Sequence, residues 1–345
     1  MKLLRLIGLT LAVLWTTLAV TARRLFKGPR LAGWTMRFEL AVAVTRTIVD
    51  DSVHWPPEVL RRRFVGVPMD HELRARITRA SAQVGGRPAE TFTPVGWTEA
   101  APTILYFHGG GYVVGSPATH ADLIARLALA AGARAVAVDY RKASEQAFPA
   151  AVDDGEAAYR DLLAAGARPA HLYLAGDSAG GGLALAVALR ARDAALPLPA
   201  ALLLLSPWTS LAGQGDSMLR NAPFDYLTAR ALRRAANDYA RGADARHVHA
   251  SVIHADFHGL PPLFIQSGGA EVLLSDNEAL AARARSAGVR VVHDVEENMV
   301  HVFPAFYRVL PRQSEAALAR LGQVVRGHGA AADRAPDVSS LPTAR

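Results

Sequence analysis

Residues 171–189 read HLYLAGDSAGGGLALAVAL, and no other stretch restricts the possible folds of this chain as tightly. Residues 171–175 predict a short buried strand. Residues 183–189 contain only Ala, Leu and Val, without a charge, and predict a helix. Between them stands Gly176-Asp177-Ser178-Ala179-Gly180. A strand that turns straight into a helix strains the corner residue, and side chains on either side of it would collide. Glycine at 176 and 180 meets that steric demand. It leaves Ser178 on the tip of the turn, its hydroxyl exposed and a helix amino terminus behind it. An ordinary serine in a glycine-rich turn can have the same spelling. The strand before it and the helix after it are the context that sets a nucleophile elbow apart.

Further along, short apolar runs alternate with helical ones. Strands are predicted at 103–107, 134–138, 200–205, 263–266 and 290–295. Helices are predicted at 121–131, at 149–165, from Asp276 onward and at 303–325. This alternation implies an α/β fold, a mostly parallel sheet with helices on both faces, whose ligands bind beyond the carboxyl ends of the strands. Before it, 31–79 reads mostly as helix and 82–100 as early strands and turns. Residues 207–260 break the alternation and predict an inserted helical cap. Residues 327–345 are rich in Ala, Pro, Ser and Asp and predict a disordered tail. The chain therefore divides into an apolar segment (1–24), an N-terminal helical cap region (25–89), a catalytic domain (90–326) and the tail (327–345). Its 345 residues are enough for one large α/β domain with additions, or for two small domains.

The first predicted strand runs into His108-Gly109-Gly110-Gly111-Tyr112. Hydrolysis of an ester passes through an oxyanion that needs preorganised N–H donors, and consecutive glycines let a backbone come close enough to supply them. This run at the end of a strand, together with the elbow, is the pairing found in lipases and esterases. Ser178 then needs a base, with the chain order serine, acid, histidine. Among the downstream histidines, His301 follows the last strand at the active edge. His293 lies inside that strand and His328 in the tail. His247, His249, His254 and His258 lie close together, but no second ligand motif accompanies them, and cap or loop histidines are the expectation; no metal site is read there. Two acids compete after the strand at 263–266. Ser275 and Glu278 have capping-box spacing, which gives Asp276 a place in a helix's first turn. Glu271 has no such structural task and is the preferred triad acid, with Asp276 the alternative.

With these residues in view, the chain resembles the bacterial hormone-sensitive-lipase family of α/β-hydrolase-fold esterases, a group that also resembles arylacetamide deacetylase. The resemblance rests on HGGGY at 108–112, Asp139-Tyr140-Arg141, Phe148-Pro149-Ala150-Ala151, GDSAG at 176–180, Ser206-Pro207-Trp208, Gly259-Leu260-Pro261-Pro262 and His301-Val302-Phe303. It spans about residues 90–325. It implies oxyanion donors at Gly110, Gly111 and Ala179, supported by His108, Gly109, Gly176, Asp177 and Gly180. It also implies a cap made of the N-terminus and the 207–260 insertion. The family's usual acid is Asp; a subgroup carries Glu in the setting that Glu271 to Asp276 matches. One departure is Lys142-Ala143-Ser144-Glu145, where the family often has Leu-Ala-Pro-Glu. The implied activity is that of a serine carboxylesterase acting on short- to medium-chain esters, with no cofactor. Deacetylation of aryl amides or steryl acetates by the same triad is the alternative. A catalytically silent binding protein is a third reading, which an intact set of Ser178, Glu271 and His301 argues against.

Charge is distributed unevenly. Residues 1–100 carry 15 Lys/Arg and 8 Asp/Glu; the rest carries 23 of each. Residues 6–22 lack charge and are flanked by Lys2 and Arg5 before and Arg23, Arg24, Lys27 and Arg30 after. The expectation is a membrane anchor or interfacial helix, with Trp15 and Trp34 near the interface. A cleaved signal peptide ending at Ala22 and a helix covering the protein's own core are the alternatives. No interleaved aromatic-basic stripe suggests nucleic acid. The absence of cysteine excludes disulfides and thiolate chemistry.

Overall fold

The computed structural model describes residues 2–332; segment 333–345 of the expected tail lies outside the described residues. Strands β1 (Ile77–Val84) and β2 (Arg87–Pro94) form an antiparallel hairpin, and β2 pairs antiparallel with β4 (Arg134–Val138). From β4 the sheet continues in parallel through β3 (Thr103–Phe107), β5 (Leu172–Asp177), β6 (Ala201–Leu205), β7 (Leu263–Gly268) and β8 (Val291–Glu296). The order is β1-β2-β4-β3-β5-β6-β7-β8.

Helices α1 (Lys2–Lys27), α2 (Met36–Ser52), α3 (Pro57–Arg63) and α4 (His71–Arg76) precede the sheet. Helices α5 (Ala121–Ala131), α6 (Ala150–Ala164), α7 (Ala179–Asp193), α10 (Leu274–Ser286) and α11 (Pro311–Ala332) cover it; α8 (Ser217–Arg220) and α9 (Ala229–Ala240) lie in the 207–260 insertion. The period-two geometry of a strand divides the core. Leu105 and Phe107 of β3 pack with Val152 and Tyr159 of α6 and Leu183 of α7. Ile104 and Tyr106 pack on the other face with Leu127 of α5 and Leu321 of α11. Every residue of β5 and β6 is buried, as strands covered on both faces must be.

The structure differs from the sequence reading in three places. The sheet begins at Ile77, inside the span read as helical cap; only Ile77 and Val84 of β1 are buried, so this outer strand lacks the alternation that marks a strand. The last helix does not run from residue 303. A 3-10 turn covers Phe303–Phe306, and α11 starts at Pro311, because proline lacks the N–H and its ring would clash with the preceding turn. It continues to Ala332, into the span expected to be disordered.

The N-terminal helices and the insertion meet. The Arg46 guanidinium of α2 donates to the carbonyls of Ala222 and Asp225, and Arg234 of α9 donates to Val53 O at 2.7 Å. Trp34 and Phe38 share a buried cluster with Met299, Val300 and Phe303, and Trp34 Nε1 donates to Asn298 O at 2.6 Å. The segment before α2 therefore buttresses the loop that carries His301.

Candidate active site

Between β5 and α7, Ser178 has φ 53° and ψ −121°, a conformation that a non-glycine residue holds only when its surroundings impose it. Ser178 N donates to Leu205 O at 2.9 Å, and Ser178 O accepts from Gly181 N at 3.0 Å and Trp208 N at 2.8 Å. A Cβ on Gly180 would lie deep inside van der Waals contact of Phe107 O, and one on Gly176 would strike Gly180 O. The two motif glycines are thus steric requirements of the corner, as their spacing predicted.

Asp177 fastens the glycine run to this corner. Its carboxylate accepts from Gly109 N at 3.0 Å and Tyr106 OH at 2.6 Å, and His120 Nε2 lies 3.5 Å away. Burial alone would raise Asp177, but the His120 charge and these hydrogen bonds outweigh it and hold it below the usual carboxylate range. His108 stacks on Tyr140 at 4.3 Å, and its Nδ1 lies 2.8 Å from Gly109 O. Burial keeps the His108 imidazole far below its ordinary pKa, so it is neutral and structural. Gly110 (φ 115°) and Gly111 (φ 61°) turn through the left-handed region, and Gly110 O accepts from Val113 N and Val114 N. Among the described residues, neither the Gly110 and Gly111 amides nor that of Ala179, at the first position of α7, donates a hydrogen bond. On the far side of this loop stands the cap. Ala235 of α9 lies against Gly111, and Tyr239 of α9 stacks on Tyr112 at 3.8 Å.

Glu271 and His301 lie in the loops after β7 and β8, both fully buried. The Glu271 carboxylate accepts from Ser206 Oγ at 2.6 Å, Gly268 N at 2.8 Å and Asn277 Nδ2 at 2.9 Å. Burial nonetheless pushes it up to about 8. Burial lowers His301 to about 4, with the Asp177 charge opposing. No Glu271–His301 side-chain hydrogen bond is formed, and His301 Nδ1 has no partner among the described residues. Catalytic hydrogen bonds of this kind often tighten only around a reacting substrate.

What does join the two loops was not read from the sequence. Ser206, just beyond β6, donates to Glu271 and accepts from Val302 N at 3.0 Å. Asp225, in the insertion, accepts from Val272 N at 2.8 Å and His301 N at 3.3 Å. Burial raises Asp225 to about 7 against those backbone donors. A polar residue at a strand's carboxyl edge was the available signal for Ser206; Asp225 had none.

The Ser275–Glu278 capping box does not form, although Asp276 does lie in the first turn of α10. Helix α10 begins at Leu274, with Leu273 as its N-cap. The Ser275 hydroxyl donates to Asp216 and accepts from Ser217 N. Asp276 Oδ2 is buried without a partner among the described residues, and burial raises this acid to about 6. Of the other histidines, His293 contacts Ser267 Oγ at 3.0 Å, and the rings of His247 and His249 are 5.4 Å apart. Among the described residues no group of His, Asp and Glu is arranged to hold a metal ion.

A family model of the α/β-hydrolase fold matches residues 104–305. The chain belongs to the α/β-hydrolase family. Within this family it is similar to an acetyl-hydrolase of Streptomyces hygroscopicus, with 47% identity over 62% of this chain and 72% of the relative. It is also similar to carboxylesterase NlhH of Mycobacterium tuberculosis, with 33% identity over 66% of this chain and 75% of the relative. Among solved α/β-hydrolase structures it resembles an esterase of the bacterial hormone-sensitive lipase family, with 38% identity and a TM-score of 0.76 over 82% of this chain and 96% of the other. The resemblance read from the motifs is therefore upheld.

Proposed function

We propose that this protein is a serine carboxylesterase that hydrolyses short- to medium-chain carboxylic esters through an acyl-enzyme. The observation that carries the reading is the strained Ser178 corner, bound through Asp177 to a glycine loop in which the Gly110 and Gly111 N–H groups have no acceptor among the described residues. The esterase and acetyl-hydrolase names of the relatives support it. In the first step the neutral His301 imidazole takes the Ser178 Oγ proton as Oγ bonds to the ester carbonyl carbon. The carbonyl electron pair moves to oxygen, where Gly110, Gly111 and Ala179 N–H groups receive the charge. Collapse breaks the bond to the alcohol, which leaves with the proton from His301. Water, deprotonated by the same base, then releases the acid and restores Ser178. Glu271 orients the imidazole and, as a carboxylate, stabilises its charged form. Opposite charges in one buried space favour each other, so imidazolium formation draws Glu271 toward the ionised state.

Cap helix α9 sits directly on the glycine loop through Ala235 and Tyr239, which supports a limited acyl pocket. The test is an acyl-length series of p-nitrophenyl esters, acetyl to palmitoyl. Acetyl to about octanoyl esters should be favoured, since a capped pocket buries a limited ligand. Ser178→Ala should abolish turnover in a folded protein. An active Ser178→Ala enzyme would overturn the reading, and preference for long-chain emulsified triglyceride would overturn its size limit. The acetyl-hydrolase relative favours acetyl esters as the second reading within the same chemistry.

We propose that the N-terminal helix anchors the enzyme at a membrane. Its stretch Ile7–Lys27, with mean hydropathy 1.3, is long and apolar enough to cross one. Ile7, Leu11, Leu14, Trp15 and Leu18 are exposed and recur at helical spacing, a stripe suited to lipid.

A further inference from the structure

The insertion that forms the cap reaches beneath the substrate side of the molecule to the two loops after β7 and β8. Three of its side chains take hold of the loop that bears Glu271. Ser217 Oγ donates to Val272 O at 2.7 Å, Asn221 Nδ2 donates to Glu271 O at 2.8 Å, and Asp225 Oδ2 accepts from Val272 N at 2.8 Å. Only Asp225 among them also reaches the second loop, where its Oδ1 accepts from His301 N at 3.3 Å. One fully buried carboxylate therefore spans the backbone next to the acid and the backbone of the base. Ser206 repeats the bridge from the sheet side, between the Glu271 carboxylate and Val302 N. The two bridges flank the acid–base pair, one from the sheet and one from the cap.

We infer that Asp225 is a positioning residue of this esterase, through which the cap insertion sets the spacing of the Glu271 and His301 loops. The inference rests on the proposed roles of Glu271 and His301. It follows from the shape of the group. A carboxylate offers acceptors in two directions, and here the directions are Val272 N–H and His301 N–H. An amide of the same shape offers one acceptor, so its NH2 must face an N–H donor at one of these sites. That loop must then move away, or leave its buried N–H unpaired. Displacement of a catalytic group by about 1 Å is enough for a loss of about 10²-fold in rate.

The experiment compares D225N, D225S and T228A in the full chain, using p-nitrophenyl butyrate. The concentration of reactive Ser178 is fixed by titration with a stoichiometric organophosphonate. Thr228 caps α9 in the same insertion by accepting from Ala231 N, and among the described residues no hydrogen bond joins it to either loop. T228A should therefore lower thermal stability while kcat per titrated site stays at the wild-type value. D225N should lower kcat per titrated site by about 10²-fold with KM little changed, because the pocket is kept while the acid–base pair is displaced. D225S supplies a hydroxyl too short to span both amides and should show the same split. A kcat for D225N within about twofold of wild type overturns the inference. So does equal loss of kcat in T228A, or failure of both Asp225 variants to fold, since either assigns Asp225 to cap stability alone. The S178A enzyme, assayed alongside, separates the two levels. If S178A is inactive and D225N is unaffected, only the positioning role falls; if S178A is active, the serine mechanism falls with it.

Discussion

Replacing Ser206 with alanine tests how the site is held together from the sheet side. The hydroxyl is buried and makes two hydrogen bonds, to Glu271 Oε2 at 2.6 Å and from Val302 N at 3.0 Å. Alanine keeps the backbone geometry, including Ser206 N to Gln266 O, and removes only the oxygen. A buried amide left without an acceptor costs about 1–3 kcal/mol, and a hydrogen bond to a charged group contributes about 1.5–3 kcal/mol. The two losses place the destabilisation at about 2.5–6 kcal/mol with Glu271 ionised, and lower where it is protonated or the Val302 loop relaxes toward water. Against the roughly 5–15 kcal/mol that holds a typical domain, this is a large fraction. Urea unfolding followed by circular dichroism should show a lower midpoint at unchanged slope. Activity measured well below the unfolding temperature should also fall, because Glu271 loses a donor that favours its ionised form. A midpoint shift worth less than about 0.5 kcal/mol, with wild-type kcat, would show that the hydroxyl neither supports the fold nor orients the acid.

Three further outcomes are expected. Glu271→Gln should lower kcat far more than Asp276→Asn, measured at matched stability; the reverse order would move the acid to Asp276. Both Glu271 and His301 must be deprotonated for the first step, and burial sets them at about 8 and about 4, so wild-type kcat/KM should rise with pH toward 8. The residual activity of Glu271→Gln should lose that rise and fall only toward the lowered His301 value of about 4; retention of the alkaline rise would refute the assignment. Finally, the full-length protein should co-sediment with vesicles containing anionic lipid, and Leu14→Glu with Leu18→Glu, both on the exposed stripe, should leave it in the supernatant. Equal sedimentation of the two would remove α1 from membrane binding.

The parts of the molecule that were legible in the sequence share a property: their physics is local. An uninterrupted apolar run such as Leu202–Leu205 is a buried strand in almost any context, and Gly176 and Gly180 are demanded by atoms within a few residues or one strand away. His301 is proposed as the base because its loop follows the last strand at the sheet's active edge, and the structure places it in the loop after β8. The remainder depended on groups brought together from afar. Ser275 has the spelling of a cap, but the insertion supplies Asp216 and Ser217 to its hydroxyl, and the helix begins before it. Asp225 is a single acid in a polar stretch, and nothing in its spacing announces that Val272 N and His301 N will both face it. The preference for the glutamate over Asp276 rests in part on a capping box that does not form, though Asp276 does occupy the first turn of α10. The case for Glu271 now rests on the donors around its carboxylate and on its loop's link to that of His301.

The joint between α1 and α2 has a consequence for anyone who shortens this protein to make it soluble. Glu39 is buried, and its carboxylate is neutralised by Arg23 and by Arg24, the latter at 2.9 Å. Arg24 also donates to Trp34 O at 2.8 Å, and Trp34 belongs to the cluster under the His301 loop. Trimming the apolar helix up to residue 24 discards both cations and strands an anion in the interior. Removing one partner of a buried ion pair typically destabilises by about 3–5 kcal/mol. A trimmed enzyme that loses activity would then report a disturbed buttress rather than a missing membrane. A cut that retains Arg23 and Arg24, or a deletion combined with Glu39→Gln, separates the proposed anchor from the support it gives the loop of His301, the proposed base.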